Sequence, residues 1–160
     1  MHMKKPKVYI ETSIVSYLTA WPSRDLVTAA RQQITREWWE TRREGFELFI
    51  SQSVIDEASA GDPDAAKRRL EALNTLPLLN PMEEGDELAQ TFMEQVPLPN
   101  EAAADALHLA ITVVNGINYL LTWNCTHLAN AALRNNIESV CRNKGYEPPI
   151  ICTPEELLVE

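Results

Sequence analysis

The sequence predicts an α/β fold in which a central, mostly parallel sheet is covered by helices on both faces. Short apolar segments that favour strands alternate with longer segments that have helical periodicity. The connections between successive strand segments are too long for hairpins, so neighbouring strands are expected to run parallel. The length of 160 residues, with no linker-like segment, predicts one domain over residues 4–160.

The first half of the chain contains five predicted elements. They are a strand at residues 7–10, a helix at 24–44, a strand at 46–51, a short helix at 52–60 and a helix that begins at 62. Small polar residues follow the first strand and are suited to opening a helix. Gly45 is a natural stop for the long helix, and Asp62 followed by Pro63 gives the last one an N-cap and a first-turn proline.

The second half continues the same alternation. After a brief apolar segment at residues 76–79, the pattern predicts helices at 83–95, 100–115 and 131–144 and strands at 119–123 and 150–152. Asn100 caps the second of these helices, while Gly116 and Gly145 stop the second and third. Residues 153–156 have the composition of a capping box.

The composition argues against several classes of protein. The apolar runs are far shorter than the ~20 residues that cross a bilayer, so no membrane partner is expected. Cys125, Cys141 and Cys152 are an odd number of widely spaced cysteines, which indicates reduced thiols in a cytoplasm. The net charge of −9 argues against broad binding to phosphate backbones, unless the acids gather around cations that contact phosphate themselves.

Basic and aromatic residues offer two weaker hypotheses. The basic residues of the predicted helices form two groups, Arg31, Arg36, Arg42 and Arg43 in one and Lys67, Arg68 and Arg69 in another. Either group would suit nucleic acid, although a solvated helix surface is the ordinary interpretation. Trp21, Trp38 and Trp39 suggest a groove for a protein partner, although core packing explains a helical tryptophan at least as often.

Polar side chains follow two of the predicted strands. Glu11 comes directly after the strand at 7–10, and Asn124 follows the strand at 119–123. In open parallel sheets, ligands bind beyond the carboxyl ends of the strands. These strand ends are therefore the first indication of a site.

The helix at residues 100–115 carries a narrow polar stripe. At 100° per residue, Glu101, Asp105, His108 and Thr112 share one side, and the remaining positions are mainly apolar. A helix this apolar is expected to be buried. Its stripe either lines a cleft or forms a thin edge exposed to solvent.

Four polar residues at these positions favour a metal site. Glu11, Glu57, Asp105 and Asn124 lie at element ends or on the buried helix, where an uncompensated carboxylate is costly. A divalent cation would offset that cost. Oxygen ligands favour Mg²⁺ or Mn²⁺ over zinc. Cys125 and His127 alone are too few for a zinc site.

Four segments resemble, in order and spacing, the motifs of the PIN domain family. They are YIETS at 9–13, SVIDE at 53–57, ADALHLA at 104–110 and LLTWN at 120–124. The resemblance implies a three-layer PIN-like fold and a hydrolase that cleaves phosphodiester bonds in RNA. It implies that Glu11, Glu57, Asp105 and Asn124 form the catalytic, metal-binding set.

The resemblance also assigns roles to the neighbours of these acids. Thr12 or Ser13 would bind a metal water or a phosphate oxygen, with helix capping as an equally good alternative. His127 is a candidate for contact with the substrate, and both His108 and His127 suit packing at the edge of a cleft. Histidine can also carry a proton near neutral pH.

The sequence departs from the PIN pattern at two positions. Family members usually have aspartate where Glu11 stands, and often have aspartate where Asn124 stands. A longer side chain displaces a bound ion, and an amide removes a full negative charge while keeping an oxygen ligand. Some relatives carry an asparagine followed by a histidine at this place. The departures leave open whether one or two ions bind.

Small PIN proteins similar to this chain include VapC-type toxins, which are ribonucleases held inactive by a partner antitoxin and are often homodimers. The resemblance therefore implies a toxin with RNA as substrate, a cognate antitoxin and a homodimer. One alternative is a PIN scaffold that has lost most of its catalysis and acts as a binding module, favoured by Glu11, Asn124 and the acidic composition. Another is a hydrolase for a small phosphorylated metabolite.

Overall fold

A computed structural model describes residues 4–158, leaving Met1–Met3 and residues 159–160 outside the described part of the chain. It contains a four-stranded sheet with strand order β2-β1-β3-β4, in which all three strand pairs are parallel. The strands are β1 (Lys7–Ile10), β2 (Glu47–Phe49), β3 (Tyr119–Leu121) and β4 (Ile150–Cys152). The predicted class, an α/β fold with helices flanking a mostly parallel sheet, is confirmed.

Seven α-helices connect and flank the strands in the described residues. They are α1 (Thr12–Thr19), α2 (Leu26–Thr41), α3 (Gln52–Ala58), α4 (Pro63–Leu73), α5 (Glu83–Gln95), α6 (Ala103–Val114) and α7 (Ala131–Asn143). Short 3-10 turns at Arg43–Gly45 and Asn100–Ala102 replace the ends of two longer predicted helices. No helix of the described chain is both long and apolar enough to cross a membrane.

Strand β1 is the centre of the molecule. Val8, Tyr9 and Ile10 are completely buried, since β1 pairs with β2 on one side and β3 on the other. A strand buried on both faces is typical of parallel sheets covered by helices. Polar groups placed on this strand must therefore find hydrogen-bond partners inside the protein.

Several boundaries differ from the predicted ones. Strand β2 ends at Phe49, and the next residue, Ile50, forms only an isolated parallel bridge with Leu78 from the predicted apolar segment. The predicted capping box is present, since the Thr153 amide donates to Glu156 Oε1 at 3.2 Å, but the residues that follow form a turn. Pairing with neighbouring segments decides such ends, so local composition does not define them.

The three tryptophans do not share one surface. Trp38 is fully buried in the core, Trp39 is half-buried, and Trp21 is 74% exposed with the Arg68 guanidinium 4.7 Å above its ring centroid. The core-packing interpretation of Trp38 is confirmed. A groove formed by all three tryptophans is not.

Candidate metal centre

Glu11 and Thr122 lie side by side because of the register of the sheet. Ile10, the last residue of β1, pairs with Leu121, the last residue of β3, so the residues that follow them are neighbours. The Thr122 hydroxyl donates to Glu11 Oε1, and the Glu11 amide donates to the Leu121 carbonyl at 3.1 Å. The parallel register thus carries a buried carboxylate to the edge of the sheet where ligands usually bind.

Glu11 also begins helix α1. It is the N-cap, and its Oε2 accepts the Ser13 backbone amide at 3.0 Å, while the Ser13 hydroxyl donates to Oε1. The Glu11 side chain is 5% exposed, and within the described chain no basic side chain forms an ion pair with it. The hydrogen bonds from the helix N-terminus and the hydroxyl groups hold the carboxylate in place, while no described basic side chain forms an ion pair with it.

Helix α3 supplies a second carboxylate, Glu57. His108 Nε2 lies 2.9 Å from Oε1 and 3.0 Å from Oε2 of this carboxylate, and the Thr12 hydroxyl donates to Oε1. Partial burial would raise the pKa of Glu57, but the hydrogen bond and charge of His108 and the bond from Thr12 outweigh it and lower the pKa. Glu57 is therefore ionised near neutral pH, with a side chain that remains 37% exposed.

Glu11, Glu57 and His108 form a compact group. One ligand atom from each lies within 4.8 Å of the other two, although the residues come from three separate elements. Two carboxylates this close repel each other, and a divalent cation between them removes the repulsion. A largely buried carboxylate without a counter-charge, beside a second carboxylate that faces solvent, fits Mg²⁺ or Mn²⁺.

Asp105 and Asn124 are engaged elsewhere. Asp105 Oδ2 accepts from His127 Nδ1 at 2.9 Å, and Asn124 Oδ1 accepts the His127 backbone amide at 2.9 Å. The same residue, His127, thus occupies one oxygen of each. Asp105 nevertheless lies one turn before His108 on the same side of α6, and its charge contributes to raising the pKa of His108.

Of the four predicted metal ligands, the structure brings Glu11 and Glu57 together and leaves Asp105 and Asn124 outside that group. Thr12, a predicted substrate contact, donates to Glu57, and Ser13, another, donates to Glu11. Helix capping was the alternative for both residues, but Glu11 is the N-cap of α1. The roles of all these residues in binding a metal ion or RNA stay predictions. The geometry adds His108, which the sequence assigned mainly to packing, and Thr122, which it missed.

The polar stripe of α6 faces inward. His108 is 1% exposed and Thr112 is fully buried, with the Thr112 hydroxyl donating to the His108 carbonyl at 2.7 Å. Glu101, which is exposed, belongs to the 3-10 turn that precedes the helix. The stripe therefore contributes His108 to the site. It is not the thin solvent-exposed edge that was the alternative interpretation.

The basic residues of α2 and α4 have different partners. Three of them bind backbone carbonyl groups, Arg36 that of Ala20, Arg68 that of Thr19 and Arg69 those of Ala58 and Ala60. Arg31 instead lies 5.2 Å from the ring centroid of Trp123 and donates weakly to the Tyr17 hydroxyl at 3.4 Å. Trp123 precedes Asn124, and its amide donates to the Ser13 hydroxyl at 2.8 Å. Arg31 thus places positive charge over the face of Trp123, whose backbone amide contacts the same Ser13 hydroxyl that donates to Glu11.

No protein-family model and no curated protein sequence matches this chain. Among solved structures, the chain is similar to the sarcin-ricin loop cleaving toxin VapC20 of Mycobacterium tuberculosis, with a TM-score of 0.57 and 16% sequence identity. The similarity covers 75% of this chain and 92% of the toxin. At this identity the likeness concerns the fold, and it agrees with the PIN-like fold that the four sequence segments predict.

Proposed function

We propose that the protein is a divalent-cation-dependent endoribonuclease and the toxin of a type II toxin–antitoxin pair. The observation that carries the proposal is the pair of carboxylates of Glu11 and Glu57, which together with His108 form a group whose nearest polar atoms lie within 4.8 Å of one another beside the end of the central strand. The likeness in fold to a toxin that cleaves the sarcin-ricin loop supports the same class of reaction. The protein would act as one domain in the cytoplasm.

The chain's own residues would prepare this site for a cation. When bound, Mg²⁺ or Mn²⁺ would neutralise charge on the phosphoryl group and lower the pKa of an attacking water. Glu11 would hold the ion rigidly because Ser13 and Thr122 fix its carboxylate from two sides. Glu57 would be the exposed ligand, placed to meet both the ion and solvent. Asp105 and Asn124 would join through a change of partner at His127 or through water.

RNA would reach the site over Arg31. A net charge of −9 disfavours broad contact with a phosphate backbone, so the few cations beside the site must receive the strand. Arg31 provides a positive charge over the face of the buried Trp123 ring, and the Trp123 backbone amide contacts Ser13. Positive side chains that follow the phosphate backbone are common in proteins that bind single-stranded RNA.

The antitoxin would bind an apolar surface near the start of α2. Trp21, Leu26 and Val27 are 74%, 86% and 62% exposed, which is unusual for large apolar side chains grouped along the chain. A protein partner would cover them. We also propose a homodimer, which the light scattering of the purified protein would test. A small antitoxin gene beside the gene for this chain would support the pairing.

A second function has one specific observation in its favour. His127 occupies an oxygen of Asp105 and of Asn124, which leaves only Glu11 and Glu57 as carboxylates in the compact group. A site with so few negative charges would bind a cation weakly. On this alternative the protein is a catalytically weakened PIN scaffold that acts as a binding module.

Cleavage of a mixed RNA pool distinguishes the two functions. The wild type, Glu57→Gln and Asp105→Asn are compared with Mg²⁺ or Mn²⁺ and with a chelator, and exposed Glu94→Gln on α5 serves as the control. The nuclease hypothesis expects metal-dependent cleavage that falls by more than about 100-fold in Glu57→Gln, since even an outer partner of a metal costs about 10–100-fold. Glu94→Gln should cleave normally. No cleavage by the wild type, with no heat of metal binding, would favour the scaffold.

A further inference from the structure

A chain of hydrogen bonds connects the protein core to Glu57. The Tyr9 hydroxyl lies 2.6 Å from His108 Nδ1 and 2.7 Å from Ser51 Oγ, while His108 Nε2 contacts both oxygens of Glu57. Tyr9, Ser51 and His108 are all buried. They come from β1, the N-cap position of α3 and α6, so the chain joins three elements around one carboxylate.

The hydroxyl of Tyr9 is not needed for packing. Tyr9 is flanked in the sheet by the apolar residues Phe49 and Leu120, and a phenylalanine would fill the same volume without a hydroxyl. A buried hydroxyl costs free energy unless it is hydrogen-bonded, and a network is favourable only when each member is satisfied. The Tyr9 hydroxyl can donate one hydrogen bond and accept another, and it has a partner for each in Ser51 and His108.

The partners determine where the imidazole proton lies. His108 Nε2 faces two carboxylate oxygens, which are acceptors only, so Nε2 must carry a hydrogen whether the ring is neutral or charged. In the neutral ring, Nδ1 then accepts the Tyr9 hydroxyl, and the Tyr9 oxygen accepts the Ser51 hydroxyl. Every polar group of the chain is satisfied in this arrangement. The opposite tautomer would direct the Nε2 lone pair at the Glu57 carboxylate.

We propose that Tyr9 and Ser51 are positioning residues that hold His108 with its Nε2–H on Glu57, so that the carboxylate is oriented towards Glu11. His108 donates to both oxygens of Glu57 and Thr12 to Oε1, which leaves one lone pair of Oε2 for a cation. His108 therefore acts beside the ion as a partner of its ligand and does not bind the ion itself. The idea that this arrangement serves a metal ion rests on the proposed function. The position of the imidazole hydrogen follows from the hydrogen bonds alone.

Nitrogen NMR of histidine-labelled protein tests the assignment on the full chain, because it distinguishes protonated from unprotonated ring nitrogens. The wild type is measured without metal and with saturating Mg²⁺. We expect Nε2 of His108 to carry a proton in both states. Loss of the Nε2 proton when Mg²⁺ is added would make His108 a ligand and overturn the proposal, as would an unprotonated Nε2 in the metal-free protein.

Tyr9→Phe removes only the hydroxyl at the centre of the chain, and Tyr119→Phe on the neighbouring strand is the matched control. Losing an outer partner of a metal ligand typically costs about 10–100-fold in affinity, so Tyr9→Phe should weaken Mg²⁺ binding by that factor in calorimetry. It should also move the ring-nitrogen signals of His108, which a merely structural change would leave in place. Tyr119→Phe should change neither. Ser51→Ala, at the far end of the chain, should move the same signals and serves if Tyr9→Phe does not fold.

The outcomes separate this proposal from the proposed function. A wild type that binds Mg²⁺ and cleaves RNA, with Tyr9→Phe unchanged in Mg²⁺ affinity and His108 signals, overturns the positioning role and leaves the function intact. A wild type that binds no Mg²⁺ overturns the proposed function and, with it, the purpose assigned to Tyr9 and Ser51. If Tyr9→Phe binds Mg²⁺ more weakly and Nε2 of His108 keeps its proton in the wild type, the results support both the proposed function and the positioning role of Tyr9.

Discussion

Asp105 and His127 form a hydrogen-bonded side-chain pair, with Oδ2 and Nδ1 2.9 Å apart and each side chain 20% exposed. The pair couples α6 to the segment that follows β3. A cation that recruits Asp105 into the compact group must therefore draw this carboxylate away from its hydrogen bond with His127. The strength of this competition decides how many carboxylates the site can offer.

His127→Ala should strengthen the binding of Mg²⁺ in calorimetry by up to about tenfold. A hydrogen bond to a charged group contributes about 1.5–3 kcal/mol, and part of this would no longer oppose the movement of Asp105 towards the ion. Exposed Thr126→Ala in the same segment is the control and should bind as the wild type does. Weaker binding in His127→Ala would instead show that His127 helps to hold the ion or its water.

Thr122→Val should weaken Mg²⁺ binding and destabilise the protein. The Thr122 hydroxyl donates to Glu11 Oε1 and accepts the Asn124 amide at 2.9 Å, and valine keeps the shape without either bond. Leaving a buried charged group without its partner costs about 1.5–3 kcal/mol, or roughly tenfold or more in affinity if the loss falls on the bound state. Urea denaturation and calorimetry measure the two effects.

Thr112→Val is the matched control for this change. Its hydroxyl is equally buried but donates only to the His108 carbonyl, which belongs to its own helix. We expect little change in Mg²⁺ affinity there. Equal losses of affinity in Thr122→Val and Thr112→Val would contradict a specific role of Thr122 in holding Glu11.

The pair of His108 and Glu57 should make the stability of the metal-free protein depend on pH. Burial lowers the pKa of His108, but the hydrogen bond and charge of Glu57 and the charges of Glu11 and Asp105 outweigh it and raise the pKa above 6.5. Stabilisation from His108 is therefore complete below pH 6.5 and is lost as the pH rises through the raised pKa. The pKa of Glu57 is lowered from 4.5, so its stabilisation is complete above pH 4.5 and is lost as the pH falls through the lowered pKa.

The contribution of the pair should therefore be largest between about pH 4.5 and 6.5. Urea denaturation of the wild type and Glu57→Gln, in the presence of a chelator, measures the difference in the free energy of unfolding at each pH. That difference should peak in this window and shrink on both sides. A difference that does not change with pH would show that the two groups are not coupled in the folded protein.

Much of this arrangement follows from the sequence, and the parts that do not have physical reasons. The position of Glu11 at a strand end and the shared stripe of Asp105 and His108 depend only on local periodicity, which the sequence contains. The contact between Glu11 and Thr122 joins residues 111 positions apart. It depends on which strands are neighbours and in what register, and local composition does not specify either.

The partners of Tyr9 and Asp105 were unpredictable for related reasons. Tyr9 lies within an apolar run, and nothing in the run distinguishes a tyrosine that packs from one that donates to His108 across 99 positions. His127 reaches Asp105 because Asn124 accepts its amide and turns the chain back after β3. Side-chain capping in a loop of this kind decides direction over a few residues, and several turns were compatible with the same sequence.

Arg31→Gln should weaken the binding of single-stranded RNA and reduce its dependence on salt. Arg31 stacks on Trp123 beside the site, so removing its charge should lower the slope of log affinity against log salt concentration by about 1. Fluorescence anisotropy with a labelled RNA, in the Glu57→Gln background that is expected to have lost cleavage, measures binding without turnover. Arg43→Gln is the matched control, because Arg43 stacks at 4.7 Å on Trp39, whose ring is not part of the site. Equal losses in Arg31→Gln and Arg43→Gln would indicate a general effect of net charge, whereas a loss confined to Arg31→Gln places the RNA strand beside Arg31.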